Sequence, residues 1–193
     1  PPSDRLWPAV QPALTNDDVP YTFGVRFSTS VTGFVKGVRF LTSGDVSAVP
    51  GNYTGQLWSN TGTQLASGTF AGPITPDSWQ ELLFTEPILI SAGTPYVASY
   101  NIGTSNFYAS TTGGLTAPFT NGTVTASAGG GLFTAGTPVT FPTTATNNNY
   151  WADVIFAPNN YSFELNSVTD ASFCINNPGA PIQTLNVPSV DCS

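Results

Sequence analysis

The residues able to do chemistry are few, and the first fact about them is an absence. The chain contains no histidine. That removes the imidazole base of Ser-His-Asp and Cys-His nucleophilic sites, and it removes the H-E-x-x-H zinc motif. What remains for catalysis is a carboxylate pair of the glycoside-hydrolase kind, with the two groups roughly 5–10 Å apart. The candidates are Asp77, Glu81, Glu86, Asp153 and Glu164. None lies in a recognisable catalytic motif. Glu81 alternates with Trp79 and Leu83, which a solvated sheet face explains equally well. The expectation is no enzyme activity, no catalytic residue and no cofactor.

Binding chemistry has more material. Asn16 is followed by Asp17 and Asp18, with Asp45 in a separate stretch. These are weak calcium candidates, since that ion wants several oxygen ligands and no EF-hand pattern is present; acidic residues in turns more often cap or turn the chain. Stacking of aromatic rings on sugars could draw on four Trp, seven Tyr and 13 Phe. Trp7, Trp58, Trp79 and Trp151 sit in or beside strand-like runs, where core packing accounts for most of them. Tyr53 and Tyr108, near loop-like sequence, are the glycan-contact candidates. Cys174 and Cys192 cannot complete a four-ligand zinc site by themselves. A disulfide is the simpler assignment, contributing on the order of 3 kcal/mol for so short a loop and implying an oxidising compartment. Asn-x-Ser/Thr sequons at Asn52, Asn121 and Asn160 suit a secreted surface.

Composition narrows the partners. Only 8% of residues are charged, and the net charge is −7 with Arg5, Arg26, Lys36 and Arg39 as the whole basic complement. Nucleic acid requires a stripe of cations to displace counterions, so it is excluded as a partner, and anionic membranes are disfavoured. No run approaches the roughly 20 apolar residues that cross a bilayer. The opening Pro1-Pro2-Ser3 is expected to be the start of a processed, mature chain. At 193 residues a single core can bury roughly 70% of the unfolded surface.

The elements that must position these residues read as strands. Short β-branched and aromatic runs, punctuated by Gly, Pro, Asn and Ser, predict strands at 21–28, 33–41, 55–58, 63–70, 79–84, 96–100 and 150–156. In Tyr150-Trp-Ala-Asp-Val-Ile-Phe156, one face carries Tyr150, Ala152, Val154 and Phe156, and the other Trp151, Asp153 and Ile155. That alternation predicts one buried and one exposed face. The fold expected is all-β: a two-sheet antiparallel, jelly-roll-like β-sandwich. Residues 111–149, rich in Gly, Thr, Ala and Pro, are expected to form long loops with one or two short strands.

The chain is expected to divide into a sandwich domain, 1–158, including an extended N-terminal segment, and a C-terminal extension, 159–193, with the disulfide. Residues 6–14 alternate Leu, Pro, Val, Pro and Leu, and the later run carries Ile182, Leu185, Val187 and Val190. Both tails could pack on their own sandwich. The sharper expectation is that Leu6, Trp7, Val10 and Leu14, or the C-terminal four, lie in a neighbouring subunit as an added strand.

Specific stretches carry a resemblance. They are Phe23-Gly-Val-Arg-Phe27, Val31-Thr-Gly-Phe-Val-Lys-Gly-Val-Arg-Phe40, Gly55-Gln-Leu-Trp58, Gly62-Thr-Gln-Leu-Ala66, Trp79, Gly93-Thr-Pro-Tyr-Val-Ala-Ser-Tyr100, Leu115-Thr-Ala117 and Tyr150-Trp-Ala-Asp-Val-Ile-Phe156, with Leu6-Trp-Pro8 as an opening strand. In this order they resemble the bacterial extracellular domain-of-unknown-function family catalogued as 4082, over residues 6–158. The resemblance implies a sandwich and a secreted setting, often beside adhesive or carbohydrate-active modules, and supplies no activity. The ensemble also looks like jelly-roll protomers of secreted helical fibrils. The function expected is therefore a non-catalytic secreted structural protein, a homo-oligomeric filament or surface-assembly subunit held by tail insertion. The alternative is a carbohydrate-binding, adhesive module.

Overall fold

The structure, a computed structural model, describes residues 4–8, 14–16, 19–42, 53–71, 73–103 and 107–159. The chain divides into two units, Pro1–Asn159 and Asn160–Ser193. The described residues all belong to the first. Their strands are β1 (Leu14–Asn16), β2 (Tyr21–Thr29), β3 (Gly33–Leu41), β4 (Thr54–Ser59), β5 (Gln64–Thr69), β6 (Trp79–Ile90), β7 (Tyr96–Asn101), β8 (Phe107–Ala109), β9 (Phe119–Asn121), β10 (Val124–Ala135), β11 (Thr144–Thr146) and β12 (Ala152–Pro158).

They form a two-sheet antiparallel β-sandwich. The larger sheet runs β11-β10-β2-β7-β4-β5, with β9 also beside β10, and the smaller runs β12-β3-β6. A separate two-stranded pair joins β1 to β8. The expected strands are present, most within one residue of their sequence pattern; β6 continues to Ile90, and β12 runs from Ala152 to Pro158, two residues later than expected at each end.

The inner faces meet in an aromatic core. Phe40 on β3 stacks on Tyr100 of β7 (4.3 Å, 12°) and on Tyr53 (5.5 Å, 12°), while Phe70 meets it edge-on (4.9 Å, 81°). Each such pair contributes about 0.5–1.5 kcal/mol beyond its burial. Phe40 and Tyr100 belong to different sheets, so this stack joins the layers directly. Burial raises the Tyr100 phenol well above its ordinary pKa. It remains a neutral donor, giving its proton to the Tyr150 carbonyl at 2.9 Å.

Two expectations are corrected. Residues 111–149 hold more than loops: β10 is a 12-residue strand pairing with β2, β9 and β11. Its glycines hid it. The register against β2 shifts between Ala126 and Gly131, and Gly129 within that bulge has φ +61°, a conformation open to glycine at little steric cost. A Cβ on Gly131 would collide with the Asn148 carbonyl oxygen, so the sheet neighbour approaches too closely for a side chain. The second correction concerns β12, where both faces are buried from Ala152 to Ala157. Its alternation failed to predict one exposed face because another chain segment covers the Asp153 side.

Candidate functional site

The covering segment and the polar row beneath it form the most elaborate side-chain constellation among the described residues. On the smaller sheet, Arg39 of β3 lies opposite Asp153 on β12 and Glu81 on β6. The next row holds Leu41, opposite Trp79 on β6 and bonded through its N–H to the Trp151 carbonyl (3.2 Å). Alternation along antiparallel strands puts Arg39, Glu81 and Asp153 on the sheet's outer face.

The N-terminal segment, residues 4–8, runs over that face. Asp4 and Phe156 exchange backbone hydrogen bonds (2.6 and 3.1 Å), capping the outer edge of β12. The Leu6 and Trp7 amides donate to Asp153 Oδ1 and Oδ2 at 2.8 and 3.2 Å. Arg39 grips the same carboxylate through Nε (2.9 Å) and Nη2 (2.7 Å), and Nη2 also donates to the Trp7 carbonyl at 2.7 Å. Trp7 Nε1 donates to the Ala152 carbonyl (2.7 Å). The opposite end is tied to the larger sheet: Asp4 Oδ2 accepts from the Thr123 amide (3.1 Å) and hydroxyl, and the Asn121 side chain donates to the Arg5 carbonyl (2.9 Å).

Aromatic rings close over these bonds. Trp7 stacks on Phe119 (4.8 Å) and lies 5.8 Å from Trp151, which in turn meets Trp79 at 6.4 Å. The Arg39 guanidinium sits 4.0 Å above the Trp79 ring, a cation–π contact that adds to its ion pair. Trp151 itself has φ +55°, a region that costs a non-glycine residue about 1–3 kcal/mol. Asn149 Oδ1, accepting from the Trp151 amide at 2.8 Å, and Thr111 Oγ1, accepting from its indole at 3.1 Å, hold that conformation.

Electrostatics show what this group does. Asp153 is 0% exposed. Burial pushes its carboxyl up from the ordinary value, against the pull of Arg39 and the Leu6 and Trp7 amides. Its oxygens are committed to those donors and to the Val154 amide (2.6 Å). Glu81, two strands away and hence about 10 Å across the sheet, pairs with Arg5 at 3.0 Å with side chains 26% and 45% exposed. The cluster is a clasp that fastens a chain segment across both sheets. An exposed pair is worth about 0–1 kcal/mol, so Glu81→Gln is expected to leave the melting temperature within about 4 °C of wild type in a thermal scan.

Other candidate residues separate. Leu6 and Trp7, expected to reach a neighbour, are buried in their own subunit because Asp153 and Arg39 satisfy their backbone groups. Tyr53, expected to contact glycan, is 1% exposed and stacked under Phe40. Tyr108 is half-buried, with its ring 4.3 Å from Phe23. Leu14 pairs with Ala109 through the backbone. Asp77 lies exposed in a turn at φ +50°, and Glu86 lies exposed on β6. Asn121 is exposed, but its amide and the Thr123 hydroxyl of the same sequon already hold the N-terminal segment. Val10, Asp17, Asp18, Asp45, Asn52, Asn160, Glu164, Cys174, Ile182, Leu185, Val187, Val190 and Cys192 lie outside the described residues. Among the described residues no group of three or more His, Cys, Asp or Glu could hold a metal, and no helix is long and apolar enough to cross a membrane. Asp4, Arg39, Thr111, Thr123 and Asn149 were not singled out from sequence. Arg39 alone left a signal, as one of four cations placed mid-strand in a weakly charged chain.

The family description "Domain of unknown function (DUF4082)" matches residues 8–152, well over half of the chain. The chain belongs to the DUF4082 family. The matched DUF4082 region carries Arg39, Trp79, Glu81, Trp151 and the strands that position them, while Leu6 and Trp7 precede it and Asp153 follows it by one residue. The clasp thus joins the family region to its flanks. No curated protein matches the chain.

Proposed function

We propose that this DUF4082 chain is a non-catalytic, secreted structural protein, a subunit of an extracellular filament or surface assembly joined by insertion of a terminal segment into a neighbour. One observation carries the reading: the described residues, which end at Asn159, already form both sheets of the sandwich. β12 ends at Pro158, its outer edge is capped by Asp4, and the N-terminal tail fills its own clasp. The C-terminal run with Ile182, Leu185, Val187 and Val190 has the apolar content of a strand that could add to a neighbour's sheet. The low charge and the pair Cys174 and Cys192 suit a durable protein of an oxidising compartment.

The carbohydrate-binding alternative retains one supporting observation. Phe119 is at the surface, and its strand β9 is exposed at all three residues. Imaging the native chain by negative stain beside light scattering separates the two. Regular filaments are the expected result. A monomer retained on a polysaccharide column, with retention lost in Phe119→Ala, would replace the filament reading with the adhesive one.

A further inference from the structure

Every open sheet ends in a row of unpaired N–H and C=O groups that templates pairing with another chain, and folded proteins disarm such edges. Among the described residues, nearly every edge is disarmed. β12 is capped by Asp4. β6 bulges away from β3, since Gly37 pairs with Leu83 and Val35 with Ile88, leaving residues 84–87 over Lys36 alone; that bulge carries the charge of Glu86 and the missing donor of Pro87. β1, β8, β9 and β11 are three residues each.

Of these devices β5 has only a bulge at Leu65, near its start. It is six residues long, Gln-Leu-Ala-Ser-Gly-Thr, without proline or charge. Its one irregularity, opposite Leu57 and Trp58, leaves Ala66 to Thr69 in regular register. The Phe70 amide donates to the Tyr53 carbonyl at 2.9 Å, which sets the phase of the ladder. Directly opposed residues alternate between bonded and non-bonded pairs, so Gly68 and Ala66 face β4, while Ser67 and Thr69 turn N–H and C=O outward. Both side chains are exposed. Among the described residues no strand pairs on that side.

We propose that the outer edge of β5 is the acceptor for an added strand, donated by residues 182–187 of a second copy of this chain. The proposal rests on the filament reading and gives it an address. Pro181 and Pro188 bracket a proline-free run as long as β5, and proline, lacking a donor, marks where a ladder must stop. Within it Ile182, Thr184 and Asn186 alternate with Gln183, Leu185 and Val187, and no residue is charged. An uncharged strand suits an edge that carries no charge of its own. Donor and acceptor are different patches of one chain, so the contact is heterologous and propagates from copy to copy.

Ser67→Pro tests the acceptor. It removes an outward N–H while leaving the Ala66 and Gly68 bonds to β4. Thr184→Pro with Leu185→Pro tests the donor, blocking the strand in either phase. On the full chain, both variants are expected to melt close to wild type yet give no filaments by negative stain and light scattering. Mixed together they should form a discrete 1:1 dimer, because the first keeps its donor and the second its acceptor. If Ser67→Pro lowers the melting temperature, Ser67→Lys with Thr69→Lys provides a second acceptor variant with the same readout. Filaments from the acceptor variants would overturn the β5 assignment while leaving the filament reading in place. Monomeric variants that fail to dimerise when mixed would overturn the pairing of donor with acceptor. A monomeric wild type would sink the filament reading and this inference with it.

Discussion

Asp153→Ala is expected to lower the unfolding free energy of the sandwich by about 3–5 kcal/mol, the range for removing one partner of a buried ion pair. At about 2–4 °C per kcal/mol for a domain of this size, the melting temperature should fall by on the order of 10 °C. The loss has three parts. The Arg39 guanidinium, 11% exposed, is left without its counter-charge. The Leu6 and Trp7 amides lose their acceptor at a place closed to water, at about 1–3 kcal/mol for each buried group left unmade. The segment they hold then loosens from the edge of β12. Buried ion pairs can often be exchanged for apolar residues at no net cost. Here that route is closed, because Asp153 also serves the backbone. Arg39→Met with Asp153→Leu should therefore remain destabilised by at least about 1 kcal/mol. Urea melts of the single and double variants check this, and a double variant as stable as wild type would show that the amides find other partners.

Gly37→Ala is the second large loss. Gly37 lies in the middle of β3, the central strand of the smaller sheet, where its register with β6 shifts. A Cβ there would fall on the carbonyl oxygen of Leu82, with the Leu82 carbonyl carbon and Leu83 Cα close behind. All three are backbone atoms in a paired strand, so no rotamer change makes room. Overpacking ordinarily costs about 1–3 kcal/mol, and more where the surroundings cannot give; the upper end, roughly 3 kcal/mol or beyond, is expected. Gly93→Ala is the matching control. Nothing lies near its Cβ, and its cost comes only from φ +69°. The two melts should separate clearly, and a Gly37→Ala chain as stable as Gly93→Ala would mean that β6 can slide off the bulge.

The strands were legible wherever their residues were β-branched or aromatic and one face met the other sheet. β2, β3 and β7 have that character. β10 did not, because its Gly-rich centre accommodates close backbone approach and a bulge, and glycine in sequence reads as a break. Tyr53 looked like a loop residue available to a ligand, since the chain around it lacks a strand pattern; it is a core residue because Phe40 offers its ring a flat partner. The clasp was barely legible. Its donors and acceptors come from residues 4–7, 39, 111, 121–123 and 149–153, and many are backbone groups, identical in every residue.

The sequence by itself determined the all-β class, the family, the absence of any histidine chemistry and the scarcity of cations, because these follow from residue type and local periodicity. Tertiary structure alone decided that Leu6 and Trp7 are buried against Asp153 and Arg39, that both faces of β12 are buried, and that no strand among the described residues pairs with the outer edge of β5. Those outcomes depend on which strands become neighbours and in what register. Hydrogen bonds and packing between residues more than a hundred positions apart leave no periodic trace in the chain that makes them.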